Sequence, residues 1–149
     1  MLIYGTCVAL GTKAALLRGG SGAGKSDFAL RFLSLPSEAG QLPRLVADDQ
    51  VQVEVRDGRL VASPPAALAG KLEVRGLGIV EVQHLNEASL VLVVDFVEPE
   101  QVPRMPPENA ETVEIAGVSL PVLKLAPFEA SAPAKLRLAL LPASRQMPI

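Results

Sequence analysis

The feature that most constrains this chain is the run Gly19-Gly20-Ser21-Gly22-Ala23-Gly24-Lys25-Ser26. It satisfies G-x-x-x-x-G-K-[ST] at every defined position, and Gly20 and Gly22 add backbone freedom beyond what the pattern requires. Glycines let the main chain fold into a nest whose N–H groups converge on an anion. Lys25 then brings an ammonium to the β- and γ-phosphates, and the Ser26 hydroxyl is suited to ligate Mg²⁺. Such a loop works only between an incoming strand and an outgoing helix. Ala14-Ala15-Leu16-Leu17 supplies the strand, and Phe28, Leu30, Phe32 and Leu33 sit among good helix formers, so a helix opening at Lys25 is expected. Its N-terminus would turn its partial positive charge toward the phosphates. A chance match in a chain of average composition and this length is on the order of one per cent. The reading is a nucleoside triphosphate site.

The chain has 149 residues, enough for one domain with a real core. Mean hydropathy is +0.33, which excludes a disordered polymer. The net charge of −2 and the scarcity of aromatics argue against nucleic acid as a partner. Apolar runs are far shorter than the roughly 20 residues of a membrane span, the best of them, Leu90–Val94, being broken by Asp95. The opening Met1-Leu-Ile-Tyr4 has no basic stretch and flows into a strand-like pattern, so no secretory signal is expected. A single cysteine, Cys7, excludes an internal disulfide, and its apolar neighbours predict a buried thiol. His84 is the only histidine, which leaves no histidine-based metal cluster. Together these point to a cytoplasmic protein.

In chain order, Met1–Leu10 reads as a strand, 11–13 as a turn and Ala14–Leu17 as a second strand. Two prolines and a glycine in 35–43 mark a loop after the helix. From Arg44 come a short apolar strand, the pair Asp48-Asp49, and an alternation at Val51, Val53 and Val55. Asp57-Gly58 is a strong hairpin signal, with Arg59–Ala62 returning from it. Pro64-Pro65 stops that strand, and Ala66–Lys71 suits one or two helical turns. Gly76 and Gly78 mark unusual backbone within Leu72–Glu81. Leu90–Val97 predicts a buried strand, 98–108 a proline-bearing surface loop, and 114–120 a tight hairpin feeding a strand through Leu125. Ala132–Leu141 has a helical pattern that Pro142 would end. The sum is a strand-rich α/β domain with two principal helices.

Phosphoryl transfer needs an acid near the metal and often a base for the nucleophile's proton. Asp48-Asp49 ends one short apolar strand and Asp95 ends another, and spacing alone does not separate them. Neighbouring strand residues point to opposite faces, so both Asp48 and Asp49 reach one site only if the strand stops there. Glu73 and Arg75, two apart in an extended segment, share a face; an acid can join a metal shell and an arginine can steady phosphate charge. His84, Lys124, Lys135 and Arg137 read as structural or solvated.

The glycine loop, then Leu45-Val-Ala-Asp-Asp49, then Leu72-Glu-Val-Arg-Gly-Leu-Gly-Ile-Val80, resembles the catalytic domain of HPr kinase/phosphorylase over residues 2 to 125. The run from Leu72 resembles that family's signature. The resemblance implies one P-loop kinase domain over 1–149, with a mixed β-sheet and few helices, akin to the nucleotide domain of phosphoenolpyruvate carboxykinase. It further implies that Gly19, Gly20, Ser21, Gly22, Ala23, Gly24, Lys25 and Ser26 hold ATP. Ser26 and Glu73 would ligate Mg²⁺, with Asp49 beside them. Asp48 matches the general base that takes the proton from a serine of the phosphocarrier HPr, Lys25 the phosphate-binding lysine, and Arg104 a catalytic arginine. In the reverse direction inorganic phosphate attacks phosphoserine, yielding pyrophosphate, with Asp48 as acid. The implied setting is control of carbohydrate metabolism, in a homo-oligomer, without nucleic acid or membrane.

The chain departs from the pattern at several points. Tyr4 stands where the family carries a histidine, and a phenol does not titrate near neutrality. On this reading the family's N-terminal domain is expected to be absent, the glycine-arginine segment linked to phosphorolysis is replaced by 128–135, and the C-terminal helical extension is expected to be reduced to one short helix. These losses make kinase activity the safer expectation and leave an ATP-binding sensor module as the alternative. A small-molecule kinase would need an arginine-rich lid, and the arginines here are scattered.

Overall fold

The computed structural model describes residues 1–141. The strands are β1 (Leu2–Tyr4), β2 (Thr6–Leu10), β3 (Lys13–Arg18), β4 (Pro43–Ala47), β5 (Gln50–Arg56), β6 (Arg59–Ser63), β7 (Lys71–Val74), β8 (Gly78–Glu81), β9 (Ala88–Phe96), β10 (Thr112–Ile115) and β11 (Val118–Leu125). The helices are α1 (Lys25–Leu33) and α2 (Ala132–Leu140), with single 3-10 turns at Ala66–Leu68 and Pro99–Gln101. Nine strands form one mixed sheet, and β7 and β8 make a separate hairpin. The expected α/β class with two main helices is what forms. Pro142, expected to end α2, lies outside the described residues.

β3 carries Ala14 to Leu17 without a polar interruption because it is covered on both faces. It pairs antiparallel with β2 and parallel with β9, and β9 pairs parallel with β11. The carboxyl ends of three parallel strands therefore lie side by side at the loop that follows β3. Alternation along the strands sorts the core into two sides. Ala15 and Leu17 join Val8, Leu10, Phe28, Phe32, Val94 and Leu136 beneath the two helices. Ala14 and Leu16 join Cys7, Ala9, Val46, Val51, Val53, Leu60 and Leu120 on the sheet's other face. Filling a side chain the size of Phe28 or Leu16 into such a core stabilises by roughly 1.5–3 kcal/mol. Cys7 is fully buried as expected, and burial pushes its thiol far above the ordinary range.

One expectation is corrected. Met1–Leu10 is two strands, broken at Gly5, where a β-carbon would lie 2.9 Å from the Leu17 carbonyl oxygen and 3.1 Å from Leu16 Cδ1. β1 leaves to pair with β5, while β2 pairs with β3 and β4. The break is matched across the sheet. Gly5 N–H donates to the Asp49 carbonyl at 3.0 Å, and Asp49 itself adopts φ 70°, so β4 and β5 bend at the same level. The sheet curls there, and the curl sets the position of Asp48. The Asp57-Gly58 hairpin forms as expected, with φ 51° and 75° at its two central residues, the signs a type I′ turn requires. No helix among the described residues is long and apolar enough to cross a membrane.

Candidate active site

Helix α1 starts at Lys25 directly after Gly24, which adopts φ 90° and carries no side-chain cap. Its first N–H groups, on Lys25, Ser26 and Asp27, thus have no intrahelical acceptor and face outward from the helix end. Gly22 also turns at φ 82°, and Ala23 N–H closes a tight turn on the Gly20 carbonyl at 3.0 Å. Lys25 Nζ donates to the carbonyls of Gly19 at 2.6 Å and Gly20 at 3.2 Å, which holds the ammonium over the loop. Close packing demands glycine at two points. A β-carbon at Gly19 would meet that of Ala23 at 2.8 Å, and one at Gly24 would meet the Phe128 ring at 2.9 Å. The loop borders a cleft of about 1100 Å³, lined by Gly19, Ser21 through Asp27, Thr6, Asp48, Asp49, Glu73, Arg75 and neighbours.

Asp48 lies at the bottom of that cleft and is 9% exposed. Strand β4 stops at Ala47, so the condition for both acids to reach one site is met, and Asp48 and Asp49 both line the cleft. The Asp48 carboxylate accepts hydrogen bonds from Thr6 Oγ1 at 2.9 Å and from Ser26 Oγ at 3.0 Å, both to Oδ1. Its Oδ2 accepts from the Glu73 backbone N–H at 3.2 Å. Bonds to a charged acceptor contribute about 1.5–3 kcal/mol each, and here they fix the carboxylate from three separate elements. No arginine or lysine forms an ion pair with it among the described residues.

Glu73 and Arg75 both line the cleft, as does Val74 between them, and the exposed Glu73 shares that lining with Asp49. No cluster of three carboxylate, cysteine or histidine side chains occurs among the described residues. That donor set suits magnesium, which is commonly held by one or two carboxylates together with waters and substrate phosphates. Ser26 Oγ, bonded to Asp48 at 3.0 Å, would offer one oxygen donor to such an ion, and Glu73 and Asp49 line the same cleft.

Other expected residues fall elsewhere. Arg104 is exposed on the loop between β9 and β10 and does not line the cleft; the arginine that does is Arg75. Asp95 is not a metal acid: Arg18 Nε and Nη2 donate to its two oxygens at 2.7 and 2.9 Å. That hydrogen bond raises the Arg18 guanidinium further above its ordinary range, so Arg18 stays cationic. Tyr4 sits on the cleft rim, largely exposed. His84 is exposed, with Nδ1 near the Val82 carbonyl at 3.4 Å, in keeping with a structural or solvated role. Thr6 escaped sequence reasoning because a lone threonine in an apolar strand carries no signal of its bond partner. Arg31 escaped it too: its guanidinium donates to the carbonyls of Pro127 and Glu129, pinning that segment against α1.

The model for the HPr serine kinase C-terminal domain matches residues 1–131 of this chain. HPr kinase/phosphorylase of Clostridium tetani is 41% identical over 95 residues, covering 64% of this chain and 29% of that protein. HPr kinase/phosphorylase of Enterococcus faecalis is 34% identical over 134 residues, covering 83% of this chain and 41% of the relative. The chain thus spans under half the length of the curated relatives it matches. Among solved structures, the HPr(Ser) kinase/phosphatase from Coxiella burnetii superposes with a TM-score of 0.75 at 22% identity, covering 94% of this chain and 93% of that one. That likeness bears on the fold, which is the curled mixed sheet expected of the catalytic domain.

Proposed function

Taking as premise that the chain belongs to the family of HPr serine kinase C-terminal domains, we propose that it is a Mg·ATP-dependent protein kinase that phosphorylates a serine of HPr. The observation that carries this reading is the 3.0 Å bond between Ser26 Oγ and Asp48, which ties a cation-free carboxylate to the phosphate loop. In the proposed reaction the Gly19–Ser26 loop and Lys25 hold the triphosphate. The serine oxygen of the protein substrate forms a bond to the γ-phosphorus as the bond to the β-bridging oxygen breaks, releasing ADP. Asp48 accepts the serine proton. A carboxylate suits that task because the hydroxyl proton becomes acidic only late in a loose transition state. Magnesium, held by Ser26 and Glu73 with Asp49 beside them, would supply positive charge against the phosphate oxygens. Arg75, on the cleft wall, is the arginine placed to steady charge there; Arg104 would need the loop that carries it to close.

A protein substrate is supported by the rim. Leu77, in the turn of the β7–β8 hairpin, and Ile79, in β8, are 77% and 71% exposed, and their neighbours Gly76 and Gly78 line the cleft. Apolar side chains of that size at the mouth of a polar site suit a protein surface better than a small phosphorylated metabolite. We read the protein as a cytoplasmic regulator of carbohydrate use, acting as a homo-oligomer, in which the phosphorolytic reaction with inorganic phosphate is secondary. The test is incubation of the purified chain with HPr and γ-labelled ATP, followed by mass detection of phosphoserine. Label on HPr that is lost in Lys25→Ala supports the kinase; ATP binding without any transfer would leave an ATP-sensing module instead.

A further inference from the structure

Beside the phosphate cradle lies a second cavity of about 510 Å³. Its lining includes Phe96, Pro99, Gln101, Pro127, Phe128 and the loop residues Gly22 and Ala23. Gly22, Ala23 and Phe128 border both cavities, so the two meet across the glycine loop. The second one opens where β9 and β11 end, at the carboxyl side of the parallel run β3, β9 and β11, the edge at which open α/β sheets take up ligands. Asp48 faces only the first cleft. A triphosphate whose last phosphorus points toward Asp48 therefore directs its other end across Gly22 and Ala23, into the second cavity.

Phe128 is unlike the other three phenylalanines. Phe28 and Phe32 are fully buried, and Phe96 is half-buried with its ring centroid 5.1 Å from that of Phe28. Phe128 is 72% exposed, yet it is held in place from two directions. Its ring packs so closely on Gly24 that a β-carbon there would clash with it at 2.9 Å, and the carbonyls on either side of it accept bonds from Arg31. An apolar ring that is fixed but open to water gives up rotamer freedom without the burial that normally offsets that loss. A flat heteroaromatic ligand laid on it would supply the missing burial. The rim opposite is also rigid: Glu98 and Gln101 bond each other's backbone N–H across the 3-10 turn, with Gln101 Oε1 accepting from Glu98 N–H at 3.0 Å. That leaves the Gln101 NH₂ as a donor on a wall whose other polar side chains are the acceptors Glu98 and Glu129.

We propose that this second cavity is the nucleoside subsite, in which the base of the bound nucleotide stacks on Phe128 between walls formed by Phe96, Pro99 and Pro127. The proposal rests on the kinase reading for the phosphate end of the ligand and adds where the base goes. Arg31 is then a positioning residue, since it holds the segment that presents the ring.

The experiment is calorimetric titration of the whole chain with Mg·ATP and, separately, with Mg·tripolyphosphate, in the wild type, Phe128→Ala and Phe128→Trp. Stacking of one base on an aromatic side chain is worth enough that Phe128→Ala weakens ATP binding by about tenfold. Tripolyphosphate binding stays unchanged in that variant, which also reports that the cradle is folded, and Phe128→Trp binds ATP like the wild type. If Phe128→Ala weakens both ligands equally or neither, or if the wild type binds ATP no better than tripolyphosphate, the subsite is wrong while the phosphate cradle stands. If the wild type binds neither ligand, the kinase reading falls and the subsite falls with it.

Discussion

Two aspartates, Asp48 and Asp95, each end a short apolar strand near the glycine loop, and in the sequence they look alike. In the structure they are opposites. Asp95 is met by the forked guanidinium of Arg18 in two bonds of 2.7 and 2.9 Å, so its charge is neutralised by a neighbour on the next strand. Asp48 is met only by neutral donors: two hydroxyls and one backbone amide. Hydroxyl and amide donors hold a carboxylate in place without cancelling its net charge, which leaves that charge free to attract a cation. The contrast teaches that a place at the end of a strand beside a glycine loop does not by itself free an acid for chemistry. What matters is whether its partners are ions or dipoles.

The largest effect that tests this contrast is on catalysis. Asp48→Asn should lower phosphoryl transfer to HPr by about 10²–10⁴-fold, the usual range for a missing acid–base group, with ATP affinity retained. Transfer within tenfold of wild type, measured by phosphoserine formation, would remove Asp48 from the reaction. Next in size is Thr6→Val, which deletes a buried donor to the same carboxylate. Stability in urea should drop by about 1–3 kcal/mol, and turnover should fall with it while ATP affinity is kept. An unaltered denaturation midpoint would mean that the Thr6 bond does not hold Asp48 in solution.

A smaller effect is expected at the rim. The double variant Leu77→Ser, Ile79→Ser should raise KM for HPr several-fold and leave the Kd for ATP alone; a change confined to ATP binding would count against the hairpin as a protein-docking edge. The smallest belongs to the other aspartate. Asp95→Asn breaks a pair whose side chains are 38% and 28% exposed, so solvent screening limits the cost to about 1 kcal/mol or less in chemical denaturation. Transfer per folded molecule should match wild type. If Asp95→Asn instead silenced the enzyme as Asp48→Asn is expected to, the distinction between the two acids would be lost.

Much of the fold was legible because its signals are local. The uninterrupted apolar run of β3 announces a strand covered on both faces, and Asp57-Gly58 announces its turn by needing positive φ at both positions. The period of two put Glu73 and Arg75 on one face, but β7 ends at Val74 and all three residues Glu73, Val74 and Arg75 line the cleft. The misses share a different character. The break at Gly5 depends on the Leu17 carbonyl approaching from another strand, and the roles of Thr6, Arg18 and Arg31 depend on partners 42, 77 and about 96 residues away. Periodicity carries no information about such meetings. Arg104 was matched through a distant resemblance on a loop, where position along the chain says least about position in space.

By itself, the sequence determined that this protein carries a phosphate-binding loop between a buried strand and a helix, since eight contiguous residues hold all the backbone freedom and charge that loop requires. It also determined, through three ordered motifs, the family to which the chain belongs. Tertiary structure alone decided which carboxylate serves the loop. That choice follows from the curl at Gly5 and Asp49, where one backbone bond of 3.0 Å joins two strand breaks and turns Asp48 inward, while Arg18 claims Asp95 on the neighbouring strand. Long-range hydrogen bonds between strands make that decision, and they come into being only when the sheet closes.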